Sequence, residues 1–93
     1  MRFAVGTTRD IAEFACKTTF DDFDFALVKH VKNVLLSGIG MTLVGVNTGA
    51  GRAVLSYVRE STAIQEAGVL GAGFHTSAEY AALANGTMSH ATE

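Results

Sequence analysis

The sequence predicts an all-α fold of about four helices, roughly at 8–17, 25–46, 51–60 and 77–92, forming one portion of a larger helical domain. Three observations predict it. Apolar residues recur at three- and four-residue spacing through most of the chain, the signature of helix faces. Candidate helix starts carry capping residues: Thr7 or Thr8, Asp24, and Thr76 with Glu79 three positions on. The segment from Val34 to Val46, VLLSGIGMTLVGV, is apolar all round, as a helix enclosed by other protein is.

The first helix runs to about Lys17, with Ile11, Phe14 and Ala15 on one face and Glu13 and Lys17 in the favourable i,i+4 order. From Thr18 to Asp24 the chain makes a short acidic connection in which Phe20, Phe23 and Phe25 alternate with Asp21, Asp22 and Asp24. The aspartates disfavour a strand, so Asp24 is expected to cap the next helix and the phenylalanines to pin the connection onto helices. The second helix is amphipathic at first, with Leu27, Val28, Val31, Val34 and Leu35 on one side and Lys29, His30, Lys32 and Asn33 elsewhere. Its apolar second half is shorter than the roughly 20 residues a membrane span needs and is followed by Asn47, Thr48, Gly49 and Gly51, so no membrane association is expected. Gly38, Gly40 and Gly45 would each cost about 1 kcal/mol relative to Ala in a helix. Close approach of a neighbouring backbone is the expected offset. A helix buried on every side needs a surrounding layer that the other short helices cannot supply, so the sequence looks like part of a bigger protein.

The third helix is expected to turn Ala53, Val54, Tyr57 and Val58 inward and Arg52, Ser56, Arg59 and Glu60 outward. Between Glu66 and His75, Gly71-Ala72-Gly73 imitates a dinucleotide-binding loop. The context is wrong: no full strand precedes it, Thr76 stands where a third Gly or Ala is needed, and no second strand with an acid follows. A glycine-rich connection between helices is expected instead, with His75 in the loop. In the last helix Tyr80, Ala84, Thr87, Met88 and Ala91 form one stripe and Glu79, Ala82, Gly86, His90 and Glu93 the other. Gly86 lies one turn before His90 and leaves open space beside the imidazole and the carboxylate. On spacing alone, such a pair is a solvated face.

Composition narrows the partners. Of 93 residues, 48% are hydrophobic, and 7 basic against 9 acidic residues leave a net charge of −2. No basic field calls for nucleic acid. Cys16, the single cysteine, excludes an intrachain disulfide and a thiolate metal cluster, and is expected to be a small buried hydrophobe. The opening MRFAVGTTRD has no long apolar region, so no secretory leader is expected and the cytoplasm is the expected compartment.

Three stretches resemble the opening of the MmgE/PrpD family, which includes 2-methylcitrate dehydratases, cis-aconitate decarboxylases and iminodisuccinate epimerases. Leu27 to Val46, LVKHVKNVLLSGIGMTLVGV, is similar to the family's long N-terminal helix. Val69 to Gly86, VLGAGFHTSAEYAALANG, is similar to its short loop and Ala-rich helix closing on Asn-Gly. Asn85 to Glu93, NGTMSHATE, is similar to its Asn-Gly-x-x-x-His-x-x-acid element. Together they span most of the chain in the family's order.

The resemblance implies an N-terminal part of a helical domain, from a longer and usually dimeric subunit that also has a smaller mixed domain. It implies cofactor-free proton abstraction beside a carboxylate of a small polycarboxylic acid, followed by loss of water or carbon dioxide or by reprotonation. Such chemistry needs a base near the proton, a matched acid, and donors for the carboxylates. The acid of the His-x-x-acid element lines the family's active site, so Glu93 is carried over as the catalytic candidate, with His90 and Asn85 as supporting, substrate-binding positions. No metal or cofactor is implied. The acid pair, hydroxyl residue, further His and later catalytic Lys and His of the family have no counterpart here. Ser37 replaces the commoner Asp of the long helix, and the usual proline is missing. The expectation is a fragment inactive alone, pairing with the missing parts of the domain or forming a homo-oligomer. The alternative is a small non-catalytic helical interaction module that associates through the second helix.

Overall fold

The computed structural model describes residues 3–93; Met1 and Arg2, within the stretch read for a leader, lie outside the described residues. Helix α1 spans Phe3–Lys17 and α2 Phe25–Gly45, separated by a 3-10 turn at Phe20–Asp22. Helix α3 spans Gly49–Arg59, strands β1 and β2 span Ala67–Val69 and Phe74–Thr76, and α4 spans Ala78–His90. The chain divides into two compact units, one ending at Val31 and the other running from Lys32 to Glu93.

In the first unit α1 begins at Phe3 rather than at Thr7 or Thr8. Nothing in the preceding residues breaks a helix: there is no proline, and Gly6 meets open space. Lys17 Nζ lies 3.9 Å from Glu13 Oε2, as the i,i+4 order predicts. The acidic connection is held by its aspartates. The Asp22 carboxylate accepts from the Thr19 amide at 2.8 Å, and Asp24 Oδ1 accepts from the Leu27 amide at 2.7 Å, making Asp24 the cap expected of it. The phenylalanines do not pin this turn; Phe20, Phe23 and Phe25 are exposed. Cys16 is exposed too, contrary to the buried role expected of it. From Gly6 to Lys17 every residue of α1 is exposed, because within this unit no second layer covers the helix.

The part of α2 that belongs to the second unit departs furthest from expectation. Residues 32–40 are exposed on every side, with Leu35 at 65% and Leu36 at 69%. The apolar helix predicted to be buried is therefore bare within this chain. Its 21 residues are long and apolar enough to cross a membrane by length and composition, as the core helices of soluble proteins also are. Only its C-terminal end is covered, at Thr42 and Gly45. A Cβ at Gly45 would overlap the Met88 carbonyl, so this glycine permits the close crossing the sequence predicted. Gly38 and Gly40 face open space and permit none.

One hydroxyl organises the corner into α3. Thr48 Oγ1 donates to the Gly45 carbonyl at 2.6 Å and accepts from the Gly51 amide at 3.0 Å, joining the end of one helix to the start of the next. Gly51 is required here because a Cβ would overlap the Gly45 carbonyl. On α3 the buried residues are Gly51, Leu55 and Val58. Val58 and the half-buried Val54 face inward as expected, but Leu55 takes the place predicted for Ala53 and Tyr57, both exposed. Tyr57 instead meets Tyr80 of α4 edge to face, with centroids 6.0 Å apart.

The fold is mostly helical but not all-α. The segment predicted as a glycine-rich connection forms an antiparallel hairpin, pairing Ala67 with Thr76, Gly68 with His75 and Val69 with Phe74. His75 is thus a strand residue. The turn between the strands uses Gly71 (φ 72°) and Gly73 (φ 78°) in the left-handed region that only glycine enters freely. Short strands escaped the periodicity argument because three alternating residues are too few to register. Val69 joins Leu55, Val58, Ala81, Ala84 and Met88 in the core of the unit.

Candidate functional site

Helix α4 presents the predicted site residues, and its start explains its placement. Its cap is Ser77, whose hydroxyl accepts from the Tyr80 amide at 3.3 Å. Thr76 is instead the last residue of β2, buried and paired with Ala67, so the expected Thr76–Glu79 box does not form. A second acceptor comes from outside the helix: Glu66 Oε1 takes the Ala78 amide at 3.2 Å. Thus the hairpin ends directly in the helix and sets its direction.

Ala81, Ala84 and Met88 are buried, and Tyr80, Thr87 and Ala91 are half-buried. The stripe read as inward is inward, with Ala81 added. On the opposite stripe Glu79, Ala82, Gly86 and His90 are exposed as expected, and a Cβ at Gly86 would meet nothing within 4 Å. Glu93, also exposed, lies beyond the helix, which ends at His90 and not near residue 92.

The chain bends after His90, where the Ala91 amide reaches the Met88 carbonyl and the Glu93 amide reaches the His90 carbonyl. This bend carries the Glu93 side chain back along the helix. His90 Nδ1 lies 2.9 Å from Glu93 Oε2, with the side chains 72% and 64% exposed. When Nδ1 carries the proton it donates to the carboxylate, and Nε2 takes no part in that contact. A carboxylate beside an imidazole is one of the pairings that general acid–base chemistry uses. In solvent, the pair by itself adds little to stability.

Asn85 is not part of this pair. Its Oδ1 accepts from the Leu70 amide at 2.9 Å and its Nδ2 donates to the Gly68 carbonyl at 3.1 Å. Both ends of the side chain hold the hairpin to α4. The structure therefore brings His90 and Glu93 together and engages Asn85 elsewhere.

A model of the MmgE/PrpD N-terminal domain matches residues 9–93. The chain belongs to the MmgE/PrpD family. No curated protein and no solved structure matched. The MmgE/PrpD match runs from within α1 through the hairpin to Glu93, so it includes the hairpin, Asn85 and the His90–Glu93 pair. Two further groups on this MmgE/PrpD domain are exposed as the sequence predicted and share one feature. Arg52 and Arg59 of α3, read as outward surface charges, line one groove. Their spacing of seven, two helical turns, was the available signal.

Proposed function

We propose that this domain forms one wall of the active site of a cofactor-independent lyase or epimerase acting on small polycarboxylic acids. The reaction class is proton abstraction beside a carboxylate, with dehydration, decarboxylation or reprotonation as the outcome. The observation that carries the reading is the 2.9 Å His90–Glu93 contact on the open side of α4, within a domain of the MmgE/PrpD family. Glu93 is the catalytic candidate, and His90 is the group it orients beside the substrate. Asn85 contributes by holding the hairpin against the same helix. The remaining acid–base and carboxylate-binding groups belong to other parts of the active site, so the 93-residue chain is inactive alone. The working protein is a cytoplasmic homo-oligomer that uses neither nucleic acid nor membrane.

The test is complementation. Co-produced with an MmgE/PrpD lyase from which the corresponding helices have been removed, the chain is expected to restore turnover. Glu93→Gln is expected to lower that turnover by about 100-fold, the lower end of what a positioned acid or base contributes. Equal restoration by both forms would remove Glu93 from the chemistry, and turnover by the chain alone would overturn the claim of inactivity.

The exposure of α2 supports a second reading, a non-catalytic interaction module that associates through this helix. Leu35, Leu36 and Val34 stand bare within the chain, as an apolar face awaiting protein does. A well-folded monomer at high concentration in sedimentation would count against it.

A further inference from the structure

Between the end of α2, one face of α3 and the hairpin turn lies an open groove of about 430 Å³, lined by residues that include Asn47, Arg52, Leu55, Ser56, Arg59 and Gly71. Arg52 and Arg59 are two helical turns apart, about 10.5 Å along the axis, and Ser56 lies between them on the same side. Among the described residues neither guanidinium has a carboxylate partner, the ion pairs being Lys17–Glu13 and His90–Glu93. Arg59 already has two contacts. One of its amino groups donates to the Ala72 carbonyl at 3.2 Å, and its guanidinium sits 4.8 Å from the centre of the Phe74 ring. Its other N–H groups remain for an acceptor, and the two contacts lower the cost of ordering that side chain on binding. The hairpin accounts for Arg59 but gives no reason for Arg52. A cation near the start of a helix is also placed against the dipole, and the first turn of α3 contains no acid to offset it. A negative charge in the groove would.

We propose that this groove binds a small anion carrying at least two negative charges, with Arg52 and Arg59 as the ligands and the Ser56 hydroxyl and the Asn47 side-chain Nδ2 as further donors. The volume suits a small molecule, and the overall net charge of −2 does not favour a nucleic acid backbone. Phosphate and carboxylate anions share the relevant chemistry, since both accept two N–H groups of a guanidinium fork. The site uses none of Asn85, His90 or Glu93, so it stands or falls apart from the function proposed above.

The experiment is an NMR titration of the chain with pyrophosphate and, separately, with tricarballylate, each against sodium chloride at matched ionic strength. Saturable shifts are expected at the Arg52 and Arg59 Nε–H groups and at the Ser56 and Ala72 amides. The anion that saturates at lower concentration identifies the source class. Arg52→Gln is expected to weaken binding about tenfold or more, Arg52→Lys to weaken it less because charge survives without the fork, and Glu93→Gln to leave it unchanged. Absence of saturable shifts with both anions, shifts matched by sodium chloride, or wild-type affinity in Arg52→Gln and Arg52→Lys would overturn the proposal. Because Arg52 is exposed, the unliganded spectra of its variants are expected to overlay that of the parent away from the groove, so lost binding is separable from lost structure.

Discussion

Asn85 and Gly86 divide a task between neighbouring residues. The Asn85 amide ties Gly68 and Leu70 of the hairpin to α4, while Gly86 leaves the adjoining surface open. Asn85→Ala removes both hydrogen bonds, at a net cost near 1 kcal/mol each. Chemical denaturation is expected to show a loss of about 1–2 kcal/mol, with the Leu70 amide exchanging faster with solvent. Unchanged stability and unchanged Leu70 exchange would rule out the clamp. At this scale the sequence was legible where helical spacing decides: the exposed stripe of Glu79, Ala82, Gly86 and His90 follows from periodicity alone, whereas Glu93 is placed by the bend after the helix. It was not legible where two residues have similar capping ability. Thr76 and Ser77 both cap well, and only the pairing of Thr76 with Ala67 decides in favour of Ser77.

Among the elements, the glycines of α2 differ in kind. Gly45 is held against Met88 by a contact that excludes a side chain, whereas Gly38 has room for one. Gly38→Ala is therefore expected to stabilise the chain by up to about 1 kcal/mol through helix propensity. Gly45→Ala is expected to destabilise it by about 1–3 kcal/mol, the usual cost of overpacking. Opposite shifts of the denaturation midpoint check the pair, and shifts of the same sign would contradict this account of the crossing. Helix existence and order were readable because each helix is long enough to repeat its pattern. The hairpin was not, since its strands are short and its glycine-rich turn resembles an ordinary helix connection. The facing of α3 was misjudged by one position because Leu55 and Tyr57 are both apolar enough to be core residues. The Tyr57–Tyr80 ring contact, which keeps Tyr57 at the rim, depends on α4 and leaves no local trace.

For the molecule as a whole, the exposed length of α2 dominates. Its composition matched a helix enclosed on every side, and the described residues do not enclose it. Replacing Leu35 and Leu36 by lysine should leave the second unit's folding stability within about 0.5 kcal/mol, since both side chains are exposed. The same change should turn a self-associating chain into a monomer in sedimentation. A parent chain that is already monomeric would refute association through this helix, and recovery of the parent in the membrane fraction would identify lipid as what covers it.

The hairpin has a consequence for chain entropy. Its strands meet across a short turn, and the Asn85 bonds span only 15 and 17 residues of sequence. Closing loops of that length forfeits little conformational freedom, and the cost grows only slowly with length. Helix α4 is thus moored by links close to it in the chain. The Gly45–Met88 crossing closes a longer loop, whose closure forfeits only modestly more freedom than those near the hairpin.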